Sequence, residues 1–200
     1  MQSPVPHVPR QPTTWQPAAA QPAARYVAAR RAEIEARLTP TLATVVMGAR
    51  RRVLRDGDRQ IDTAHLLHSL IESDPDVGTA FEGGGRLARV LGYLVQRSIG
   101  YGLRWQGTVE EAGAESGPGA EVVLPGRPAA ALSGWSPAAV AALGAARERA
   151  VRRGEARPRG LDLLAAIAAD ADCRAVEVLR RAGVDATALA ARIGEPSQQV

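Results

Sequence analysis

An all-α fold is what this sequence predicts, built from two tandem copies of a helical repeat packed with pseudo-twofold symmetry behind a disordered N-terminal tail. Three observations predict it. Apolar residues make up 46% of the 200 positions and aromatics only 4%, so Ala, Leu and Val must fill the interior. Small, unbranched side chains of that kind suit closely packed helices better than sheets. Apolar residues recur at spacings of three and four, the period of a helix face. One set of helix signals also returns at an offset of 97 residues (136 − 39).

Residues 1–21 are rich in Pro, Gln and Ala, a composition that buries too little apolar surface to offset its ordering entropy, and are expected to be disordered. Trp15 is the one large apolar group that could dock from this tail. Residues 22–38 read as a helix with a thin stripe of Tyr26, Val27, Ile34 and Leu38, resting on the domain edge.

The first repeat spans residues 39–97. Thr39-Pro40 opens a helix, since Thr caps well and Pro at the first helical position lacks a donor that would be orphaned anyway. Leu42, Val45, Val46, Ala49 and Val53 form its apolar face, and Gly57 ends it. Asp62 or Thr63 caps a second helix carrying His65, Leu66, Leu67, Leu70 and Ile71. Ser73-Asp74-Pro75-Asp76 breaks it, and Val77 to Phe81 reads as a short turn. After three consecutive Gly residues, Arg86 to Arg97 is helical, with Leu87, Val90, Leu91 and Leu94 on one side.

Residues 98–134 form a Gly- and Pro-rich linker, in which Leu103 to Val109 and Glu121 to Leu124 could pair as a short hairpin. The second repeat spans residues 135–195, and 196–200 are a tail. With the offset of 97, Ser136-Pro137 matches Thr39-Pro40, and Ala146 matches Ala49. Arg147, Arg149 and Arg152 match Arg50, Arg52 and Arg55. Gly154 matches Gly57, and Leu163-Leu164 matches Leu66-Leu67. No gap is needed. Arg174 to Arg181 and a helix capped by Asp185, with Leu189 and Ile193 inward, complete this copy. Two such copies each leave a half-covered apolar face, so they pack together and the seam between them is a natural groove.

The run Leu38-Thr39-Pro40, a helix ending at Gly57, and then Ile61-Asp62-Thr63-Ala64-His65-Leu66-Leu67 resembles the repeat of Clp ATPase N-terminal domains. The second copy is similar, in Trp135-Ser136-Pro137, Gly154, Leu163-Leu164 and Leu179-Arg180-Arg181-Ala182-Gly183-Val184-Asp185. The resemblance covers about residues 38 to 195. It implies a stand-alone, all-helical module that binds peptide segments or Clp-type unfoldase and protease components, as adaptor, regulator or ligand-sequestering decoy. It also implies a partner surface at Leu38, Thr63, Trp135 and Val140, although for Trp135 by itself a hydrophobic staple against Val140 is the favoured role. Some members of the family bind phosphoarginine through a Glu in each copy. The matching positions are Ala64 and Leu161, which cannot pair with a guanidinium, so that route is expected to be lost.

No enzymatic activity is expected. A phosphate loop of the Gly-x-x-x-x-Gly-Lys type is impossible, because all 25 basic residues are Arg, so ATP is excluded in the family's manner. No cofactor and no metal are predicted. His65, His68 and Glu72 share a helix at ligand spacing, but a site needs three or four converging ligands. Cys173 is the single cysteine, which excludes a disulfide framework and gives no catalytic pairing. The formal charge of +4 and the Arg-rich helices raise an alternative, a nucleic-acid-binding regulator. Asp56, Asp58, Glu148 and Glu155 interleave with those Arg residues and weigh against it. No apolar run of about 18 residues exists to span a membrane and no secretory signal opens the chain, so a cytoplasmic location is expected.

Overall fold

The computed structural model describes residues 36–81, 84–98, 110 and 134–194. The N-terminal tail, most of the expected 22–38 helix and the expected hairpin lie outside these residues. Among the described residues there are eight α-helices and no strand beyond a single isolated bridge.

Helix α1 (Pro40–Asp56) begins where the Thr39 hydroxyl accepts the Leu42 N–H at 3.3 Å. It buries Leu42, Val45, Val46 and Ala49, and it ends at Gly57, whose φ of 71° suits a residue without Cβ. Helix α2 (Thr63–Ser73) is buried continuously from Thr63 to Ile71. A helix covered on all sides belongs at the centre of a fold, and α2 is packed by α1, α3, α5, α6 and α7.

Helix α3 (Pro75–Thr79) corrects the expected turn at Val77 to Phe81. Pro75 ends one helix and starts the next, because Pro is accepted at the first helical position. Asp74 caps α3 by accepting the Asp76 N–H at 3.1 Å, and Val77 is fully buried. Helix α4 (Gly84–Ser98) takes in two of the three consecutive Gly residues, which the sequence suggested would lie outside it, and buries Val90 and Leu94.

Helix α5 (Pro137–Arg152) is capped by Ser136, which accepts the Ala139 N–H at 3.0 Å. Its inner face is all alanine: Ala138, Ala139, Ala142, Ala146 and Ala150. That smooth face rests on α6 (Gly160–Ala169), which is buried over almost its whole length. Helices α7 (Arg174–Arg181) and α8 (Ala186–Gly194) close the structure, α8 against α6 and α7 against α2 and α4. Asp185 caps α8 through the Ala188 N–H at 3.0 Å. A single apolar core runs through both groups of four helices, with Leu, Ala and Val as its main components. No helix among the described residues is long and apolar enough to cross a membrane.

Candidate functional site

The first four helices meet the last four along a seam whose polar contacts come in two sets. On one side the loop before α2 meets the segment before α5. Ile61 N donates to Gly134 O at 2.7 Å, and Ser136 N donates to Ile61 O at 2.8 Å, a parallel bridge between Ile61 and Trp135. On the other side the loop before α6 meets the segment before α1, where the Thr39 hydroxyl donates to Pro158 O at 3.3 Å. Nearby, Gly160 opens α6 against Asp74. A Cβ built on Gly160 would lie 1.9 Å from Asp74 Oδ2, so a larger residue there would force the Asp74 side chain to shift.

The seam also holds a buried ionic network. Asp62, fully buried, caps α2 by accepting the His65 N–H at 2.9 Å. Its Oδ2 accepts from Arg97 Nη2 at 2.6 Å and from Arg174 Nη1 at 2.8 Å. Arg97 belongs to α4 and Arg174 to α7, so one carboxylate ties three helices together. Asp58 adds a second acceptor for Arg97 at 3.0 Å. The His65 ring is wedged between the two carboxylates, with Nδ1 at 2.7 Å from Asp62 and Nε2 at 3.1 Å from Asp58.

The pKa shifts follow from this packing. Burial raises the Asp62 carboxyl, but the His65 hydrogen bond and the His65 and Arg97 charges outweigh it and hold the group well below the usual carboxylate range. Hydrogen bonding from His65 lowers Asp58. Burial opposes charge on His65, yet hydrogen bonds to Asp58 and Asp62 prevail and raise its pKa.

Asp56, Asp58 and His65 bring ligand-type atoms within 4.8 Å of one another. Arg97 already stands 3.0 Å from both His65 Nε2 and Asp58 Oδ2, so a cation there would have to displace a guanidinium. The spacing of His65, His68 and Glu72 does not gather them into one site. His68 faces Glu72 at 3.2 Å, and His65 turns to the aspartates.

Of the four residues assigned to a partner surface, Leu38 and Thr63 are buried, whereas Trp135 and Val140 are only partly covered. Trp135 packs against the core beside Ser136. Leu161 is partly buried and Ala64 fully so. A separate shallow cleft, lined by Phe81, Arg86, Val184, Asp185, Ala188 and Arg192, contains none of the four. Several arginines of the Arg-rich helices are paired: Arg52 with Glu72 and Ser69, Arg55 with Asp56, and Arg153 with Asp162 and Glu155.

Sequence reasoning did not find Glu110, whose carboxylate is buried in the seam. It accepts from Thr63 N at 2.9 Å, Arg174 N at 2.8 Å, the Ser136 hydroxyl at 2.6 Å and the Thr63 hydroxyl. Nothing local marks it, because it lies in the Gly-rich linker and these partners are 26 to 64 residues away in sequence. No family model matches the chain, and no curated protein matches it.

Proposed function

We propose that this chain is a non-enzymatic binding module of the Clp N-terminal type, two repeats related by a pseudo-twofold axis. Its seam takes up peptide segments or components of a Clp-type unfoldase–protease system. The observation that carries the reading is the reciprocity of the seam. Ile61 contacts Ser136, and their counterparts at the 97-residue offset, Pro158 (97 after Ile61) and Thr39 (97 before Ser136), also contact each other. An exchange of equivalent contacts of this kind is what a twofold relation within one chain would produce, and it supports the reading. The matched caps Thr39 and Ser136, each followed by Pro, support the same relation.

In this reading the half-covered Trp135 and Val140 form the accessible part of the partner surface, acting as adaptor, regulator or decoy in the cytoplasm. An aromatic side chain with a polar edge is a good anchor at such surfaces. The test is fluorescence anisotropy of labelled peptides and of purified unfoldase and protease components against the full chain, with Trp135→Ala as comparison. Saturable binding weakened at least about tenfold by the substitution is expected for a central anchor. Absence of binding to every component and peptide by a folded chain would overturn the reading. So would steeply salt-dependent binding to nucleic acid in a gel shift.

A further inference from the structure

Helix α1 rests on α2 and α5 rests on α6, and the opposite face of each is exposed. On α1 the exposed residues Thr44, Met47, Arg51 and Leu54 recur at spacings of three and four, so they form one narrow stripe along the helix. Met47 is 58% exposed and Leu54 83%. That spacing, with large apolar groups at alternate positions, is the pattern of a seam between paired helices.

Each position has a counterpart 97 residues further on, on α5: Ala141, Gly144, Glu148 and Val151. The counterparts complement rather than copy the α1 residues. Arg51 corresponds to Glu148. Long Met47 corresponds to Gly144, where an added Cβ would meet nothing within 4 Å. Leu54 corresponds to Val151, itself 61% exposed. Among the described residues neither Arg51 nor Glu148 takes part in an ion pair or a side-chain hydrogen bond. Two parallel helices packed at this spacing bring equivalent positions face to face. Arg51 then meets Glu148, Met47 enters the gap over Gly144, and Leu54 covers Val151. Pairing α1 with a second α1 would set Arg51 against Arg51, and pairing α5 with a second α5 would set Glu148 against Glu148. Charge and shape therefore select α1 with α5, and since both stripes are exposed within one chain, the contact lies between chains.

We propose that this chain self-associates head to tail, the α1 stripe of one copy docking in parallel on the α5 stripe of a second. The four positions rise over about 15 Å of helix, a small interface, so assembly is weak and concentration-dependent. The two stripes differ, so the contact is heterologous, and it either closes into a ring or continues along a chain of copies. Neither the pairing nor its test depends on what the seam binds.

Sedimentation velocity of the full chain, from micromolar to millimolar concentration, measures the average mass. The parent is expected to rise above the monomer mass as concentration increases. Arg51→Glu and Glu148→Arg each place like charges face to face and are expected to weaken association at least about tenfold. The double variant R51E/E148R restores opposite charges and is expected to associate within about threefold of the parent. An equimolar mixture of the two single variants is expected to associate as well, because each supplies the charge that the other lacks. Both residues are exposed, so thermal melts of dilute variants should match the parent's, which separates lost pairing from lost folding.

A parent chain that stays monomeric throughout, with its stripes bare or covered by its own N-terminal segment, would overturn the proposal. A Glu148→Arg variant that associates like the parent would do the same, because that is the result for α1 docking on α1. So would a double variant and a mixture that both fail to recover. None of these results bears on peptide uptake at Trp135, which the anisotropy measurement decides separately.

Discussion

Replacing Asp62 with Asn tests whether the seam is held electrostatically. Asn is as good a helix cap as Asp, so the hydrogen bond to the His65 amide survives and only the charge is lost. Arg97 and Arg174, both with side chains 8% exposed, then lose their shared carboxylate. Removing one partner of a buried pair costs about 3–5 kcal/mol. Arg97 retains Asp58, which places the expected loss near the lower limit, about 3 kcal/mol. For a chain of this size that lowers the melting temperature by about 6–12 °C. Asp62→Ala also loses the cap and should cost about 1 kcal/mol more.

The acid limb provides a second reading of the same substitution. The carboxyl pKa is depressed in the folded state, so its contribution is complete above the unfolded value of about 3.9 and drains away as the pH falls below it. Asp62→Asn should therefore flatten the loss of stability between about pH 5 and pH 2. Urea denaturation at neutral pH and thermal melts across the acid range measure both effects. A neutral-pH loss below about 1 kcal/mol, the range of an exposed pair, with an unchanged acid limb would refute the reasoning.

Gly160→Ala should destabilise by about 1–3 kcal/mol because its Cβ would meet Asp74, whereas Gly144→Ala, mid-helix with nothing near, should stabilise by about 0.5–1 kcal/mol. Chemical denaturation of the pair decides this, and equal signs would refute it. Burial, with Arg52 beside it, pushes His68 down to about 4. The folded state thus resists protonation, and the His68 contribution, complete above the unfolded pKa of about 6.5, is lost progressively as pH falls toward 4. His68→Gln should flatten that decline by on the order of 3 kcal/mol, and thermal melts parallel to the parent's between pH 7 and pH 4.5 would contradict it. Burial also pushes the Cys173 thiol up to about 12, so iodoacetamide at pH 8 should label it only after denaturation. Prompt labelling of the native chain would show that α7 opens.

Much of the helical framework was legible because its signals are local. Thr39, Ser136 and Asp185 each cap through an amide three residues ahead, and Gly57 ends α1 through its own backbone angle. The expected turn after Pro75 fails for a reason that is also local: the same residue type stops and starts helices, and the Asp74 side chain, which caps the Asp76 amide, decides between them. The candidate site was far less legible. Thr63 and Trp135 were marked, and Glu110, Arg97 and Arg174 were not. His65 stands at ligand spacing from His68 and Glu72, but no metal is expected from the sequence, and nothing in that spacing points to its partners, two aspartates and an arginine.

The difference lies in the range over which each interaction is closed. Caps, terminating glycines and apolar faces depend on backbone geometry within three or four residues, so residue order alone specifies the helices and which side of each must be covered. The Asp62 pairs span 35 and 112 residues, and the Glu110 contacts span 26 to 64. A charge at such a distance has many candidate partners in the chain. Only the packing of α2 against α6 and α7 brings one set within hydrogen-bond reach and removes the water that would compete with it.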